Sequence, residues 1–430
     1  MRRVVIGVGT WMSMYVVLSW ADPARAAFIP VSLAAAEGET IQQAQPGLPA
    51  ESPDGPTDGD PVSLATGLYV QTATDLVLPD VTPIRFTRTY RPKDTASRSF
   101  GIGQSHSYDQ YLYRNDLCSE MRLGLADGSY VRFLRSTGTN CYDSTLQHTE
   151  TPTGWYGATI TWNALDQGWD VKQKDGTVWC FSLYGVPITY TDRNGNVTTL
   201  ARDQAGGMAG NLMRITSPNG RYVNISYDSS NRVSQLTDVI GRTVVYTYDG
   251  SGRLWKVTDP AGGITEYTYD ASHRLLTLKD PRGNTHVTNT YDANGRVATQ
   301  TQADGTTYQF AYTLDGNGKV TQTDVTDPRG SVRRLTFNAN GYTLTNTEAY
   351  GEAIAQTTTY EWQANTNLLL SVTDALSRKT AYTYDSKGNI LTVTRLHGTG
   401  QAVTTTYTYD ATFNQVASVT DPLSHTTTFG

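Results

Sequence analysis

After its first twenty residues the sequence has no long apolar run, no sustained helical periodicity, few cysteines and few charges. Asp, Glu, Lys and Arg together make up 17% of the 430 residues, against about 25% in an ordinary soluble domain. The net charge is −6. No basic stripe is present to follow a phosphate backbone, which argues against nucleic acid as a partner. No later stretch is apolar enough to span a bilayer. The three cysteines, Cys118, Cys141 and Cys180, show no CxxC spacing, so nothing points to a zinc site. The histidines (His106, His148, His273, His286, His397 and His425) are scattered and form no HExxH pair. The nearest approach to a nucleophile elbow is GQSHS at Gly103–Ser107. It lacks the second glycine of GxSxG and no helix follows it. Paired acids for glycoside hydrolysis would meet in space rather than in sequence, and nothing favours them. The sequence therefore assigns no catalytic, cofactor-binding or metal-binding residue, implies no cofactor, and does not read as an enzyme.

What the chain has is tyrosine, threonine and glycine. Tyr (27) far outnumbers Phe (9), and Gly stands at 39. That mixture suits pleated, half-buried β surface. The N-terminus reads as an export signal over 1–26: Met1-Arg2-Arg3 is basic, Val4 to Trp20 is mostly apolar, and Ala24-Arg25-Ala26 is a small-x-small cleavage site. The alternative is an uncleaved anchor, for which this segment is at the short limit of a bilayer about 30 Å thick. Residues 27–58, with QPGLPAESPDGPTDGD, read as a disordered linker. Short apolar alternations broken by Gly and Pro make 59–185 a β-rich domain without an internal repeat. Export makes a disulfide reasonable, with Cys118–Cys141 as the preferred pair and Cys180 left over. Two buried, unpaired thiols are the alternative.

Residues 186–430 are a repeat. YTYDGSGRL at Tyr246 returns as YTYDASHRL at Tyr267, YTYDSKGNI at Tyr382 and YTYDATFNQ at Tyr407. The aromatic anchors Tyr227, Tyr248, Tyr269, Tyr291, Tyr312, Phe337, Tyr360, Tyr384 and Tyr409 fall 21 to 25 residues apart. Such a period signals stacked units, none of which can bury its face alone. Within one unit Val244, Tyr246 and Tyr248 share a strand face. The Asp that follows accepts from backbone N–H groups ahead of it. Gly252, Gly295, Gly341 and Gly388 supply a positive φ, with Asn231 and His273 in the same slot. Phe413 does not fit that slot. The second turn, DPAG at Asp259 and DPRG at Asp280 and Asp327, suits a type I turn. Calcium ligation is the competing role for these aspartates, but each turn offers a single carboxylate. Apolar pairs three apart, such as Leu254/Val257 and Leu275/Leu278, require either a bulge or cover on both faces.

This pattern resembles the RHS family, or YD-repeat proteins, through Tyr246, Tyr248, Asp249, Gly252, Arg253, Leu254, Thr258, Asp259, Pro260 and Gly262 and weaker copies over about 190–430. Upstream, Asp60, Pro61, Thr66, Gly67, Asp75, Leu76, Pro79, Arg88, Tyr90, Gly103, His106, Tyr108 and Asp109 look like the domain that opens the repeats in bacterial members. The resemblance implies an all-β protein: an N-terminal β-rich domain, then antiparallel hairpins forming a curved, spiralling sheet, part of a hollow shell. It further implies a non-enzymatic role in a polymorphic toxin or cell-surface contact system, in the periplasm, secreted or on the cell surface. Implied partners are the remainder of the shell or its C-terminal toxin, and a membrane only through an uncleaved signal. A carbohydrate-binding, adhesin-like module is the second reading. The DPxGLxxxxxRxYxPxxGRF motif that ends family shells does not occur, so the chain reads as truncated at its C-terminus, with the toxin outside it.

Overall fold

The computed structural model describes residues 56–59, 61–126, 128–151, 154–203 and 210–429. The signal segment 1–26, nearly all of the linker 27–58, and Asp60 lie outside them. The described residues form 36 β-strands, numbered here β1 (Thr57–Asp58) to β36 (Thr426–Thr428) in chain order, and no helix. From β8 (Tyr111–Arg114) to β36 each strand pairs antiparallel with the next, giving one sheet of 29 strands. The boundary expected at 185/186 falls in the turn between the paired strands Val178–Ser182 and Pro187–Thr191, and hydrogen bonding continues across it.

The unit starting at Gly241 shows why these residues make this sheet. Val244 and Tyr246 are buried, while Val245 between them is exposed. The aspartate turn closes when Gly252 N–H donates to Asp249 O (3.0 Å) and Asp249 N–H to Arg253 O (2.9 Å). Asp249 Oδ1 accepts from the backbone N–H of Ser251 and Arg253. Gly252 has φ 80°, and Asn231 and His273 hold 63° and 64° at the same place. This is a three-residue hairpin loop, a type I turn ending in a left-handed residue. Phe413 escapes the rule because its loop is one residue longer: Asp410 N–H reaches Gln415 O, and Asn414 takes the positive φ.

The apolar pairs three apart are explained by a bulge. Thr247 pairs with Lys256 but Tyr248 pairs with Leu254, so Trp255 is an extra residue. Leu254 and Val257 thereby face the core together, and Trp255 stands half in solvent. The same slip recurs at Tyr227, Tyr269, Tyr291 and Tyr384. Each bulge also raises the local twist, and the sheet coils until it meets itself. The turn after β11 (Thr145–Gln147) sits against the turn after β32 (Lys379–Tyr384). A Cβ placed on Gly388 would lie 2.7 Å from the Tyr156 ring. The turn after β13 (Gly168–Lys172) sits likewise against the turn after β34 (Val403–Tyr409), at Gly176 and Phe413, and Lys174 Nζ donates to Lys387 O at 3.3 Å. Both pairs are 21 strands apart. At about 4.8 Å per strand the lap is roughly 100 Å around, or about 32 Å across. Turns after odd-numbered and even-numbered strands lie on opposite rims, so the seam joins one rim of the first lap to the other rim of the next.

The inner face of the lap is covered by the chain's own N-terminal segment. Strands Gln71–Leu78, Ile84–Tyr90 and Gln104–His106 form a separate small sheet. Its Leu76, Leu78, Ile84, Phe86 and Tyr90, with Phe100, share one hydrophobic core with wall residues from Leu200 to Phe337. Cys118 and Cys141 form a disulfide between two turns that connect the first wall strands, and Cys180 is free and buried.

Candidate functional site

Two sets of polar side chains do the specific work in this core. The first repeats along the wall. The bulge interrupts the ladder just after the first residue of each returning strand, and the next unit's tyrosine donates to that residue's carbonyl. Tyr227 donates to Leu212 O, Tyr248 to Val233 O, Tyr269 to Leu254 O, and Tyr291 to Leu275 O (2.6 to 3.0 Å). Tyr312, Tyr384 and Tyr409 do the same for Val297, Leu369 and Ile390. Trp362 replaces the phenol with its indole N–H, donating to Thr343 O at 2.7 Å. A second link runs through arginine. Arg253 Nε donates to its own Asp249 at 2.7 Å, its Nη1 donates to Asp270 O of the next unit at 2.8 Å, and its guanidinium lies 5.1 Å from the Tyr269 ring centre. Arg232 over Tyr248 and Arg274 over Tyr291 repeat the stack at 4.1 and 4.7 Å, each worth about 0.5–2 kcal/mol. Burial opposes ionisation of Asp249, but Arg253's backbone N–H and guanidinium outweigh it and hold the carboxyl below its ordinary value.

The second set pins the N-terminal segment to the wall. Asp75 holds Arg88 through two bonds, to Nε (2.5 Å) and Nη2 (2.9 Å), and both side chains are buried. Arg88 donates on to Gln104 and to the Tyr267 hydroxyl, while Tyr246 donates to Asp75 at 2.7 Å. Gln104 reaches Tyr269. Tyr90 donates to His273 O and accepts from Leu275 N–H. At the far end of the hairpin Asp80 accepts from Ser217 and Asn219, and Arg221 donates to Pro79 O. Burial alone would lower the pKa of Arg88, but Asp75 and the neighbouring tyrosines raise it well above its ordinary value. A buried pair with every charge satisfied fixes one docking geometry.

The residues singled out in the sequence are engaged in this framework. Ser105 donates to Ala126 O and Ser107 to Arg85 O, so neither hydroxyl of GQSHS faces a base. His106 is fully buried among Phe86, Phe100 and Tyr108. Its Nδ1 accepts from Tyr108 N–H, and its Nε2 is 3.0 Å from Asp109 Oδ1. Burial pushes its pKa down, and the nearby Asp109 offsets only part of that. The remaining histidines do not come together: His148 bonds Arg132 O and Thr151, His273 makes a turn, and His425 meets Asp421. The turn aspartates hold backbone N–H groups and, in several units, arginine. The repeat tyrosines that could stack a sugar are packed against neighbouring units. Sequence reasoning missed the docking network because Asp75 and Arg88 lie 13 residues apart on paired strands. A charged pair amid the apolar alternation of β-strands was the available signal.

Residues 59–133 match a domain of unknown function, DUF6531. Residues 227–264, 248–285, 291–324 and 364–401 match the RHS Repeat. No curated protein matches the chain by sequence. Among solved structures, the Tc holotoxin pore of Photorhabdus luminescens aligns at 15% identity over 82% of this chain and 24% of that one, with a TM-score of 0.39. The TcdB2-TccC3 crystal structure without its hypervariable C-terminal region aligns at 14% over 82% and 24%, with a TM-score of 0.40. A further TcdB2-TccC3 structure, TcdB2-TccC3-TEV, aligns at 13% over 88% and 25%, at 0.39. The chain spans about a quarter of the length of those chains. Each RHS Repeat match covers successive hairpins of the wall, three of them opening on the tyrosine that bonds the preceding bulge, and on these repeats the chain belongs to the RHS-repeat (YD-repeat) proteins.

Proposed function

We propose that the chain is a non-enzymatic wall segment of an exported RHS-type shell, serving a polymorphic toxin or cell-surface contact system. The observation that carries this reading is the unit-to-unit tyrosine ladder. It builds a coiled wall whose reactive-looking side chains are engaged in turns and docking. The buried Asp75–Arg88 network supports it further, since it holds the chain's own segment against the inner face. The opening residues 1–26 supply the export route, with the disulfide consistent with an oxidising destination. The wall's partners in this reading are the rest of the shell and an enclosed C-terminal toxin.

Two measurements test it. Fractionation of the producing cell should find the chain in the periplasm, medium or cell surface with Cys118–Cys141 oxidised. Deleting its coding sequence should lower killing of, or contact with, neighbouring cells in co-culture. Cytoplasmic recovery with an unchanged competitive outcome would sink the proposal.

A further inference from the structure

At the seam, where the rim after β11 faces the repeat turns of the second lap, a cleft of about 670 Å³ opens. Its lining includes Lys93 from the N-terminal segment, Glu150 from the first lap, and Arg296, Lys319 and Asn338 from repeat turns. The repeat's ordinary links fail here twice. Arg232, Arg253 and Arg274 each donate Nε to the aspartate of their own turn at 2.6–2.9 Å. Arg296 keeps only its backbone N–H on Asp292. Its side chain is turned aside by the loop at Gly67, where an added Cβ would sit 2.7–2.8 Å from the arginine's carbons. Its Nη2 donates to Gly318 O, but its Nε has no partner although the residue is only 6% exposed. Beside it, Phe337 stands where other units place tyrosine, so the carbonyl of the cleft residue Val320 receives no phenol. Lys93 and Lys319 are exposed at the mouth, and Lys319 Nζ makes only a long 3.5 Å bond to Ala339 O. The lining carboxylate, Glu150, is already bonded to Arg132 at 2.8 Å.

A buried guanidinium without its carboxylate, flanked by two exposed ammonium groups, is a receptor for an oxyanion. Guanidinium N–H groups form a planar fork matched to carboxylate and phosphate, and the volume suits a small organic ligand. We propose that the seam cleft binds a small anionic ligand through a carboxylate or phosphate head placed on Arg296, with Lys93 and Lys319 closing over it. Binding there bridges the N-terminal segment and the repeat turns of the wall that carry Arg296 and Lys319.

Titration calorimetry on the full chain tests this with three probes: inorganic phosphate, glucuronate, and glucose as the neutral counterpart. Saturable binding of phosphate or glucuronate, weakened by salt and absent for glucose, is expected. The paired exposed substitutions Lys93→Gln and Lys319→Gln should weaken it at least tenfold, and Arg296→Lys, which keeps the charge but loses the fork, should weaken it likewise. If Arg296→Lys fails to fold by near-UV circular dichroism, the lysine pair decides. No saturable binding of either anion, glucose binding as well as glucuronate, or full affinity in the lysine double variant would overturn the proposal.

Discussion

Replacing Tyr248 by Phe isolates one rung of the ladder. The ring stays, so the packing of its buried edge and the Arg232 stack at 4.1 Å are kept, and no cavity forms. What is lost is the 2.6 Å bond to Val233 O. That carbonyl sits beside the bulge on a fully buried residue, so no strand and little water can replace the phenol. Leaving a buried acceptor unsatisfied costs about 1–3 kcal/mol, which corresponds to about a 5- to 150-fold rise in local opening. Because repeat units are held by their nearest neighbours, the loss should stay local. Native-state hydrogen exchange should therefore accelerate at amides of Val233–Asp238 and Thr243–Tyr248 and stay unchanged at Val403–Tyr409. The converse, Phe337→Tyr, offers Val320 O the missing donor and should slow exchange around it by a few fold. If Tyr248→Phe leaves local exchange untouched, or speeds every strand equally, the ladder is not what couples the units.

Glycine substitutions separate turn strain from seam packing. Gly262 has φ 84° and open space around it, so Gly262→Ala should cost about 1–2 kcal/mol from backbone strain alone. Gly388→Ala, at φ 71° and against the Tyr156 ring, should cost measurably more in chemical denaturation, and equal costs would deny the seam. The disulfide spans 23 residues, so replacing Cys118 and Cys141 by Ser should lower stability by about 3 kcal/mol, read as a fall in the denaturation midpoint. His106, whose pKa burial lowers, is neutral when folded and protonates more readily when unfolded. Its contribution is complete above pH 6.5 and is lost as pH falls below it toward the folded value. A stability profile should therefore decline below pH 6.5, and His106→Gln should flatten that part of the decline.

Much of the wall was legible because its signals are local. The aromatic pair, the Asp turn and the glycine or Asn at positive φ follow one another directly along the chain, and Val244, Tyr246 and Tyr248 do share a face. Sequence left the pairs Leu254/Val257 and Leu275/Leu278 ambiguous because alternation cannot reveal a slipped register; pairing with the neighbouring strand decides it. Phe413 looked anomalous because the loop had gained a residue, moving the left-handed position to Asn414. The Asp75–Arg88 network and the seam cleft were not legible. Arg88 and Tyr267 are 179 residues apart, and Tyr156 meets Gly388 only after a full lap. The resemblance marked Asp75, Arg88, Tyr90 and His106 without a role, and the fold supplies one: the first three anchor the segment inside the wall, and His106 packs within the segment's own core.

The 21-strand interval between facing turns makes the lap an integer. Steps of 21 to 25 residues between anchors show that one unit differs from the next by a few residues, in its loops or in its strand lengths, while the hairpin order is kept. A duplicated unit is different. Inserted anywhere between Gly176 and Gly388, an extra hairpin would present Tyr156 with another unit's turn and set Phe413 away from Gly176. Evolution can thus drift in unit length here but must conserve the number of hairpins per circuit, as a gear tolerates wear on its teeth but not a change in their count.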